Sequence, residues 1–348
     1  MIKVAIDKGP FEGEDVVRGI GFHTAEIVKY LRKSKGVQID TVDFSTKDLS
    51  NYDVVHYPKF NPYLTDLPLL KTTKTVTTIH DLIYLVYPDK YPPGLKGKLR
   101  FLINKRFVRN ADAIITISNT SKKDIVKYLG VNENKVHVVY LAARDIFKPV
   151  NDKKVLERIK VQHNLPEKFV LYVGDVNYNK NLLTLADACK KIGVPLVIVG
   201  KQAVSDKSML DHIETRSLKE LLEKYGDDKD IMRIGYVQDD DLVAIFNLAS
   251  VYCQPSLYEG FGLPILEGFA TKTPVVASDI KCHREVAGDA VVYVDPKSAG
   301  DMAKGLKKVI MDEKLKEKLI QKGTEQLKKY SWEKTASRTL EVYKRVVG

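Results

Sequence analysis

The stretch Ser256–Gly268, which reads SLYEGFGLPILEG, decides the fold of the chain around it. A strand-like run, Ala249–Gln254 (ASVYCQ), comes before it, and Pro264–Ala270 is compatible with a helix. Proline suits the first helical position, where no backbone donor is needed. The stretch therefore predicts a strand, a tight loop and a helix in succession.

Two glutamates flank this loop. Seven residues separate Glu259 from Glu267, and we expect Glu259 in the loop and Glu267 in the first helical turn. Gly260 and Gly262 allow backbone amides to approach a ligand closely, and a helix N-terminus attracts anions. A carboxylate can accept two hydrogen bonds from a ribose diol. The pattern favours a ligand with both a phosphate and sugars; the alternative is an ordinary corner with a capping acid.

The rest of the chain repeats strands and helices in alternation. Near-continuous apolar, β-branched runs predict parallel strands covered on both faces. In the first half these runs are 2–7, 52–57, 75–79, 113–118 and 136–140, and in the second half 169–173, 195–200, 231–236, 274–278 and 290–294. The predicted fold class is α/β with two Rossmann-like, doubly wound domains. We place them at 1–150 and 151–330, followed by a terminal amphipathic helix at 331–348.

Composition narrows the functional class. The 348 residues are 44% hydrophobic and 29% charged, and no apolar run approaches the length of a membrane-spanning helix. The N-terminus is predicted to be a strand and not a signal peptide. Three scattered cysteines fit neither a disulfide framework nor a metal cluster, which makes a cytoplasmic location the default. The net charge of +11 comes without a nucleic-acid-binding motif, so we expect no nucleic-acid partner.

Two segments of the first half are candidate ligand contacts. Gly19 and Gly21 lie between a strand and a helix predicted over about 22–33, either lining a ligand cleft or forming a plain turn. His80 directly follows the strand 75–79. Because ligands bind at the carboxyl ends of strands in open α/β sheets, we favour a functional His80 over a structural one. His56, at another strand end, is expected to be structural.

A basic segment, 94–110 (GLKGKLRFLINKRFVRN), has helical periodicity. Leu95, Leu99, Leu102, Ile103 and Phe107 are predicted to form one apolar face that packs on the core. Its basic residues are Lys96, Lys98, Arg100, Lys105, Arg106 and Arg109. The alternative is peripheral contact with an anionic membrane, at the inner face if the protein is cytoplasmic.

In the second half, the loop 174–181 (GDVNYNKN) places Lys180 at the predicted start of a helix. A cation is poorly placed there, since the helix dipole favours negative charge. Such a local conflict is expected at functional sites, and a bound diphosphate would resolve it. Asp239, Asp240 and Asp241 also precede a helix, and we interpret them as N-terminal acids and not as a metal site.

Taken together, these motifs resemble the retaining glycosyltransferases of family 4, which have the GT-B architecture of two domains facing across a cleft. The resemblance rests on Glu259 and Glu267 with Phe-Gly-Leu-Pro between them, on the segment 78–92 (TIHDLIYLVYPDKYP), and on the loop with Lys180. It spans most of the chain and looks closest to mannosyl-transferring members. It implies that the terminal helix crosses back onto the first domain.

The resemblance implies a role for each matching residue. His80, Glu259 and Lys180 would be the catalytic residues, with His80 orienting the donor sugar and Lys180 binding the leaving diphosphate. Glu267 would hold the ribose, and no metal or cofactor would be required. The donor-binding set would be Gly21, Gly174, Lys180, Gly235, Tyr236, Val237, Glu259, Gly260, Phe261, Gly262, Leu263 and Glu267.

The sequence departs from the family pattern at one position. The family usually has an arginine in the loop of Lys180, where this chain has Asn179 or Asp175, and Arg144 is a possible replacement. The expected function is transfer of a hexosyl group, with mannose favoured, from a nucleotide sugar to a glycan or lipid-linked acceptor. The alternatives are a catalytically silent nucleotide-sugar-binding protein and a NAD-dependent two-domain dehydrogenase; the full dinucleotide fingerprint of the latter is absent.

Overall fold

The computed structural model describes residues 1–12, 19–64, 67, 73–205 and 213–348. They divide into two compact units, one of Met1–Ala142 with Tyr330–Gly348 and one of Ala143–Lys329. Each unit has its own parallel sheet and its own buried core.

The sheet of the first unit has the order β2-β1-β3-β4-β5-β6, and every described strand pair in it is parallel. The strands are β1 Ile2–Asp7, β2 Val37–Val42, β3 Val54–Tyr57, β4 Lys74–Thr78, β5 Ala113–Thr116 and β6 Val136–Val138. The helices between them are α1 Gly19–Leu31, α2 Ile83–Val86, α3 Gly94–Asn110 and α4 Asn119–Asp124. Ser118 caps α4 by accepting from the backbone N–H of Ser121.

The sheet of the second unit has the order β12-β11-β10-β7-β8-β9 and is likewise parallel. Its strands are β7 Val170–Val173, β8 Leu196–Val199, β9 Ile231–Gly235, β10 Val251–Gln254, β11 Val275–Ser278 and β12 Val292–Val294. Its helices are α5 Lys153–Gln162, α6 Leu182–Ile192, α7 Arg216–Tyr225, α8 Asp239–Leu248, α9 Leu263–Ala270, α10 Lys281–Ala287, α11 Ala299–Met311 and α12 Glu313–Leu327.

The last helix, α13 Trp332–Val347, belongs to the first unit. Ser331 caps it by accepting from the N–H of Lys334. Trp332 and Tyr343 are buried, and the Tyr343 hydroxyl is 2.6 Å from Nδ1 of His56. Because Nε2 of His56 also bonds Thr78 (2.8 Å), both ring nitrogens of His56 are engaged inside the unit, the structural role expected for it.

Strand β2 was missed by the sequence analysis. Val37 and Ile39 are buried while Gln38 is exposed, so the strand alternates between apolar and polar residues. It pairs only with β1 at the end of the sheet order. An edge strand with one covered face alternates apolar and polar residues, whereas the predicted strands were all continuous apolar runs.

The prediction for the buried face of α3 was wrong for its three leucines, although Phe107 does pack against the core. Leu95, Leu99 and Leu102 are 86%, 62% and 64% exposed, and the helix instead buries Gly97, Asn104 and Val108. The side-chain amide of Asn104 donates to the carbonyl of Pro62 at 3.1 Å. Asn104 and Gly97 thus lie on the face of α3 that packs. Neither residue is apolar enough for a hydrophobic pattern to identify it as buried.

Candidate active site

The loops after β7 and β10 meet at the point where the strand order of the second sheet reverses. The chain runs outward from β7 to β8 and β9 on one side, and from β10 to β11 and β12 on the other. Ligands of doubly wound sheets bind in the crevice at such a switch point, at the carboxyl ends of the strands. The loop 174–181 and the loop 255–262 are therefore the segments best placed for a ligand.

Lys180 and Glu259 form an ion pair across these two loops. Nζ of Lys180 is 2.8 Å from Oε1 and 3.0 Å from Oε2 of Glu259. The pair is largely shielded, with side-chain exposures of 21% for Lys180 and 10% for Glu259. Lys180 ends a short 3₁₀ turn, Tyr178–Lys180, and lies two residues before α6 begins at Leu182, close to the predicted helix start at about 181. The sequence had named both residues but not their pairing.

The carboxylate of Glu259 accepts from two further side chains. Nε2 of Gln254 (2.8 Å) and Oγ of Ser256 (2.6 Å) both donate to Oε1. Burial alone raises the pKa of Glu259, but the Lys180 ammonium and the Ser256 hydroxyl outweigh it and hold that pKa below its ordinary value. Glu259 is therefore ionised at neutral pH, with three side-chain donors on Oε1 and the Lys180 ammonium on Oε2.

Asparagines of the Lys180 loop join it to the neighbouring segments. The side-chain amide of Asn179 donates to the backbone carbonyl of Tyr258 at 3.1 Å, and the backbone carbonyl of Asn179 accepts from the N–H of Leu257 at 2.8 Å. Asn181, with a φ of 57°, donates to the carbonyls of Pro255 (2.9 Å) and Pro296 (2.7 Å). Asn179, one of the two residues considered for the position of the expected arginine, thus holds the two loops together.

The glycine-rich loop leads directly into α9. Gly262 has a φ of 90°, and a Cβ there would lie 3.3 Å from the ring of His283. Phe261 is buried, and its carbonyl accepts from Sγ of Cys282 at 3.2 Å. Helix α9 begins at Leu263, so the proline stands second and not first. The helix start is therefore held rigidly beside the Lys180–Glu259 pair.

Glu267 lies in the second turn of α9, so its predicted place in the first turn was wrong. Its side chain is buried, and burial raises its pKa to about 7, with Arg144 lowering it and Asp239 raising it. Arg144 donates to Asp239 at 2.8 Å. Arg144 thus lies in the surroundings of Glu267, and no hydrogen bond among the described residues joins the Glu267 carboxylate to Lys180 or Glu259.

Glycines continue the carboxyl edge of this sheet beyond β7. The N–H of Gly174 donates to the carbonyl of Val199, and the N–H of Gly200 donates to the carbonyl of Gly235. The ends of β7, β8 and β9 therefore lie side by side. A Cβ on Gly200 would stand 2.1 Å from the carbonyl oxygen of Gly174, a spacing that only glycine permits. Gly235 has a φ of 73°. After it, Tyr236 is 47% exposed whereas Val237 is buried, so only Tyr236 offers its side chain to a ligand.

Two of the predicted residues lie in the first unit. His80 comes just after β4, and its Nε2 is 2.8 Å from Nδ1 of His23 on α1. Burial lowers the pKa of His80 to about 4, so the ring is neutral at pH 7. Gly21 is buried inside α1, which begins by Gly19, so the predicted glycine loop at 19–21 is helical instead. Residues 13–18, which precede it, lie outside the described part of the chain.

Three buried polar atoms near the carboxyl edge of the second sheet have no hydrogen-bond partner among the described residues: Asn177 Oδ1, Ser278 Oγ and His283 Nε2. Nδ1 of His283 bonds the Ser278 carbonyl at 3.0 Å and so carries the proton. Burial lowers the pKa of His283 to about 4, which leaves Nε2 an unprotonated acceptor. Unmet buried polar groups are costly and are expected where a ligand completes a site. Sequence reasoning missed them, although Ser278 ends a strand.

Two of the three aspartates at the start of α8 have side-chain partners. Asp239 bonds Arg144, and Asp241 accepts from His163 at 2.9 Å. Within the described ranges, no group of three or more histidine, cysteine or acidic side chains is arranged to hold a metal ion. In the same ranges, no helix is both long and apolar enough to traverse a bilayer.

A separate cavity of about 320 Å³ opens at the carboxyl edge of the first sheet. Its lining includes Asp7, Lys8, Asp43, Tyr57 and Lys59, from the ends of β1, β2 and β3. The order of this sheet reverses between β1 and β3, so the cavity lies at its switch point. Burial raises the pKa of Asp7. The mixture of acids, lysines and a phenol suits a polar ligand rich in hydroxyls.

Two family models match the chain. The model described as glycosyl transferases group 1 matches residues 154–326, and the model described as glycosyltransferase family 4 matches residues 43–143. The chain belongs to the glycosyltransferases that these two models describe. The resemblance inferred from the motifs is thereby confirmed.

Relatives of this glycosyltransferase include two mannosyltransferases of Escherichia coli. It is 26% identical over 309 residues to O-antigen chain mannosyltransferase B, covering 86% of this chain and 76% of that protein. It is 29% identical over 278 residues to the serotype-specific mannosyltransferase WbdA, covering 79% of this chain but 34% of that protein. The glycosyltransferase therefore spans about a third of the length of WbdA.

Among solved structures, Anabaena HepE in complex with UDP and glucose matches this glycosyltransferase with a TM-score of 0.77. The match covers 99% of this chain and 100% of HepE at 14% identity. At that identity the likeness concerns the fold alone. The fold is the GT-B architecture, and the predicted fold class is confirmed.

Proposed function

We propose that this glycosyltransferase moves a hexosyl group from a nucleotide-diphosphate sugar to an acceptor hydroxyl with retention of anomeric configuration. The observation that carries the proposal is the shielded Lys180–Glu259 pair at the switch point of the second sheet. It provides a fixed positive charge beside a glycine loop and a helix start, where a departing diphosphate needs stabilisation.

The transfer step requires charge stabilisation on the leaving group. Lys180 and the start of α9 would stabilise the diphosphate as the glycosidic bond breaks. Glu259 holds the Lys180 ammonium in place through both carboxylate oxygens. His80, neutral at pH 7, would orient the donor sugar. The donor's polar groups would also meet the unpartnered atoms at this edge, such as Asn177 Oδ1.

Retention without a carboxylate nucleophile is part of the proposal. A nucleophilic carboxylate needs an available lone pair directed at the anomeric carbon. Glu259 instead pairs with Lys180 through both oxygens, and Oε1 also accepts from Gln254 and Ser256, so the ammonium weakens this carboxylate as a nucleophile. We therefore propose attack of the acceptor on the same face as the leaving group, with a leaving-phosphate oxygen taking the acceptor's proton. No metal is assigned to this step.

Two neighbouring residues are proposed to serve the nucleotide: Glu267 for the ribose, and Arg144 for the positive charge of the missing arginine. Glu267 would accept from the ribose hydroxyls, as its place on α9 beside the glycine loop suggests. Arg144 lowers the pKa of Glu267 and is itself held by Asp239, so a cation stands near the nucleotide end of the site. We propose that Arg144 supplies the second positive charge that Asn179 does not.

The relatives support the sugar and the pathway class. Both E. coli proteins are named as mannosyltransferases, one of them for the O-antigen chain. We propose mannose as the transferred sugar, with a polysaccharide or lipid-linked glycan as acceptor. The cavity at the end of β1, with Asp7 and Tyr57, is the proposed place for the acceptor's hydroxyls.

Thermal-shift screening of UDP-, GDP- and ADP-sugars, with and without EDTA, tests the donor. Stabilisation follows affinity, by about 2.7 kcal/mol at a ligand concentration one hundred times Kd. We expect one donor to stabilise the protein equally with and without EDTA, and its transfer product to keep the anomeric configuration by NMR. An inverted product would refute same-face attack, and no stabilisation by any nucleotide sugar would refute the proposed donor.

A catalytically silent binding protein is the second candidate. It is favoured by the loop of Lys180, which has Asn179 or Asp175 where the family usually has an arginine. The side chain of Asn179 is occupied in donating to the Tyr258 carbonyl. Such a protein would bind a nucleotide sugar without hydrolysing or transferring it. Donor hydrolysis above the uncatalysed rate separates the two.

We further propose that the exposed face of α3 contacts an anionic membrane. Leu95, Leu99 and Leu102 follow one another at helical spacing and are all mostly exposed. Segment 94–110 has six basic residues and no acid, and Lys96, Lys98, Arg100 and Arg106 are exposed. Apolar side chains between basic ones match the boundary of an anionic bilayer. The three cysteines are buried and form no disulfide among the described residues, which suits the cytoplasmic side.

Sedimentation with vesicles tests this face. Wild-type protein is expected to bind phosphatidylglycerol vesicles and not phosphatidylcholine vesicles. The triple variant Leu95→Ser, Leu99→Ser, Leu102→Ser should lose at least about 100-fold in partitioning, since each leucine buried in lipid contributes about 1.5–3 kcal/mol. A double variant at two exposed apolar residues elsewhere, Val161→Ser with Met311→Ser, is the matched control. Equal binding to both vesicle types would dispose of the proposal.

A further inference from the structure

The side chains of His23 and His80 are hydrogen-bonded to each other within the first unit. Nδ1 of His23, on α1, lies 2.8 Å from Nε2 of His80, just after β4. The rings meet edge to face, with centroids 4.9 Å apart at 84°. His80 was expected to act in catalysis, whereas His23 was not singled out by the sequence.

Both rings are neutral at physiological pH. Burial, together with His80 and His56, lowers the pKa of His23 well below its ordinary value, and burial lowers that of His80 to about 4. A hydrogen bond between two neutral imidazoles needs a proton on one nitrogen and a lone pair on the other. The proton position on His23 therefore fixes the proton position on His80.

His23 is itself held from the other side. Its ring stacks on Trp332 at the start of α13, with centroids 6.1 Å apart at 25°. His23 is 4% exposed, so the ring has little room to turn away. His56 is the further titratable group near the pair, and Tyr343 and Thr78 already bond both of its nitrogens.

We infer that His23 is a positioning residue, which holds the ring of His80 in one orientation and one tautomer. Because Nε2 of His80 is committed to His23, Nδ1 is the nitrogen left to meet a substrate hydroxyl, and its protonation follows the tautomer of His23. A ring free to exchange tautomers would present the wrong state for part of the time. The inference rests on the proposed role of His80 in orienting the donor sugar.

Nitrogen NMR of the histidine rings tests the tautomer directly, without any substrate. In wild-type protein we expect His80 to show one tautomer, with one nitrogen protonated and the other not. His23→Phe keeps a ring against Trp332 but removes the bond, and should give His80 averaged nitrogen shifts. His23→Asn places an amide near the position of Nδ1, which keeps a hydrogen-bond partner for Nε2 of His80, and should shift the His80 nitrogens less than His23→Phe does. Unchanged His80 shifts in His23→Phe would overturn the inference.

Kinetics test the consequence for catalysis. His23→Phe should lower kcat for transfer by about tenfold or more with little change in KM, since misorientation of a contacting group is costly. His23→Asn should recover most of that loss. Tyr343→Phe, which removes a buried bond to His56, is the control for stability and should leave both kcat and the His80 shifts unchanged. If His80→Ala transfers at the wild-type rate, the proposed role of His80 fails, and the NMR result reports separately on the pair.

Discussion

Replacing Lys180 with methionine is expected to lower kcat/KM for glycosyl transfer by about 10³-fold. The ammonium is the charge proposed to stabilise the leaving diphosphate, and loss of one such preorganised donor typically costs 10²–10³ in rate. The same change leaves Glu259, only 10% exposed at its side chain, without its cation. Breaking a buried pair in this way destabilises by about 3–5 kcal/mol. Steady-state kinetics and denaturant unfolding measure the two effects separately.

The double variant Lys180→Met, Glu259→Gln separates catalysis from stability. With the carboxylate also neutralised, no uncompensated charge is buried, so most of the lost unfolding free energy should return. Transfer should stay low, because the diphosphate still has no cation. If the double variant recovers transfer together with stability, Lys180 is a structural residue and the proposed diphosphate site is wrong.

The sequence predicted most of the fold because its strands have strong local signals. Buried parallel strands such as 170–173 and 251–254 are continuous apolar runs. The exceptions were positions where tertiary context decides. Edge strand β2 alternates polar and apolar residues, and α3 packs through Asn104, whose amide meets backbone carbonyls supplied by a distant segment.

For the site, motif spacing identified residues but not their partners. Lys180 and Glu259 were each chosen for a local reason, and their pairing depends on the adjacency of β7 and β10, which are distant in sequence. The unpartnered atom of His283 and the bond from His23 to His80 likewise arise from packing between elements. A motif in a single loop can therefore identify which residues belong to a site, but it cannot predict the hydrogen bonds that they make to other elements.

The second large effect is expected at Glu267, through pH. Its pKa is about 7 in the folded protein and near 4.5 as an ordinary glutamate. A raised carboxyl pKa contributes stability that is fully present below about 4.5 and is lost as the pH rises through about 7. The shift corresponds to about 3 kcal/mol. Glu267→Gln should abolish this part of the pH dependence, as measured by the unfolding free energy between pH 4.5 and 8.

Nucleotide binding should show the opposite trend with pH, because the ribose hydroxyls donate to the ionised carboxylate. Between pH 6 and 8 the ionised fraction of Glu267 rises about tenfold, so wild-type affinity for a nucleoside diphosphate should rise about tenfold relative to Glu267→Gln. At pH 8 the variant should bind about 10–100-fold more weakly, as expected for charge-assisted bonds. Asp239→Asn should move the midpoint to lower pH, because Asp239 raises the pKa of Glu267 and restrains Arg144. An affinity ratio that does not change with pH would place the ribose away from Glu267.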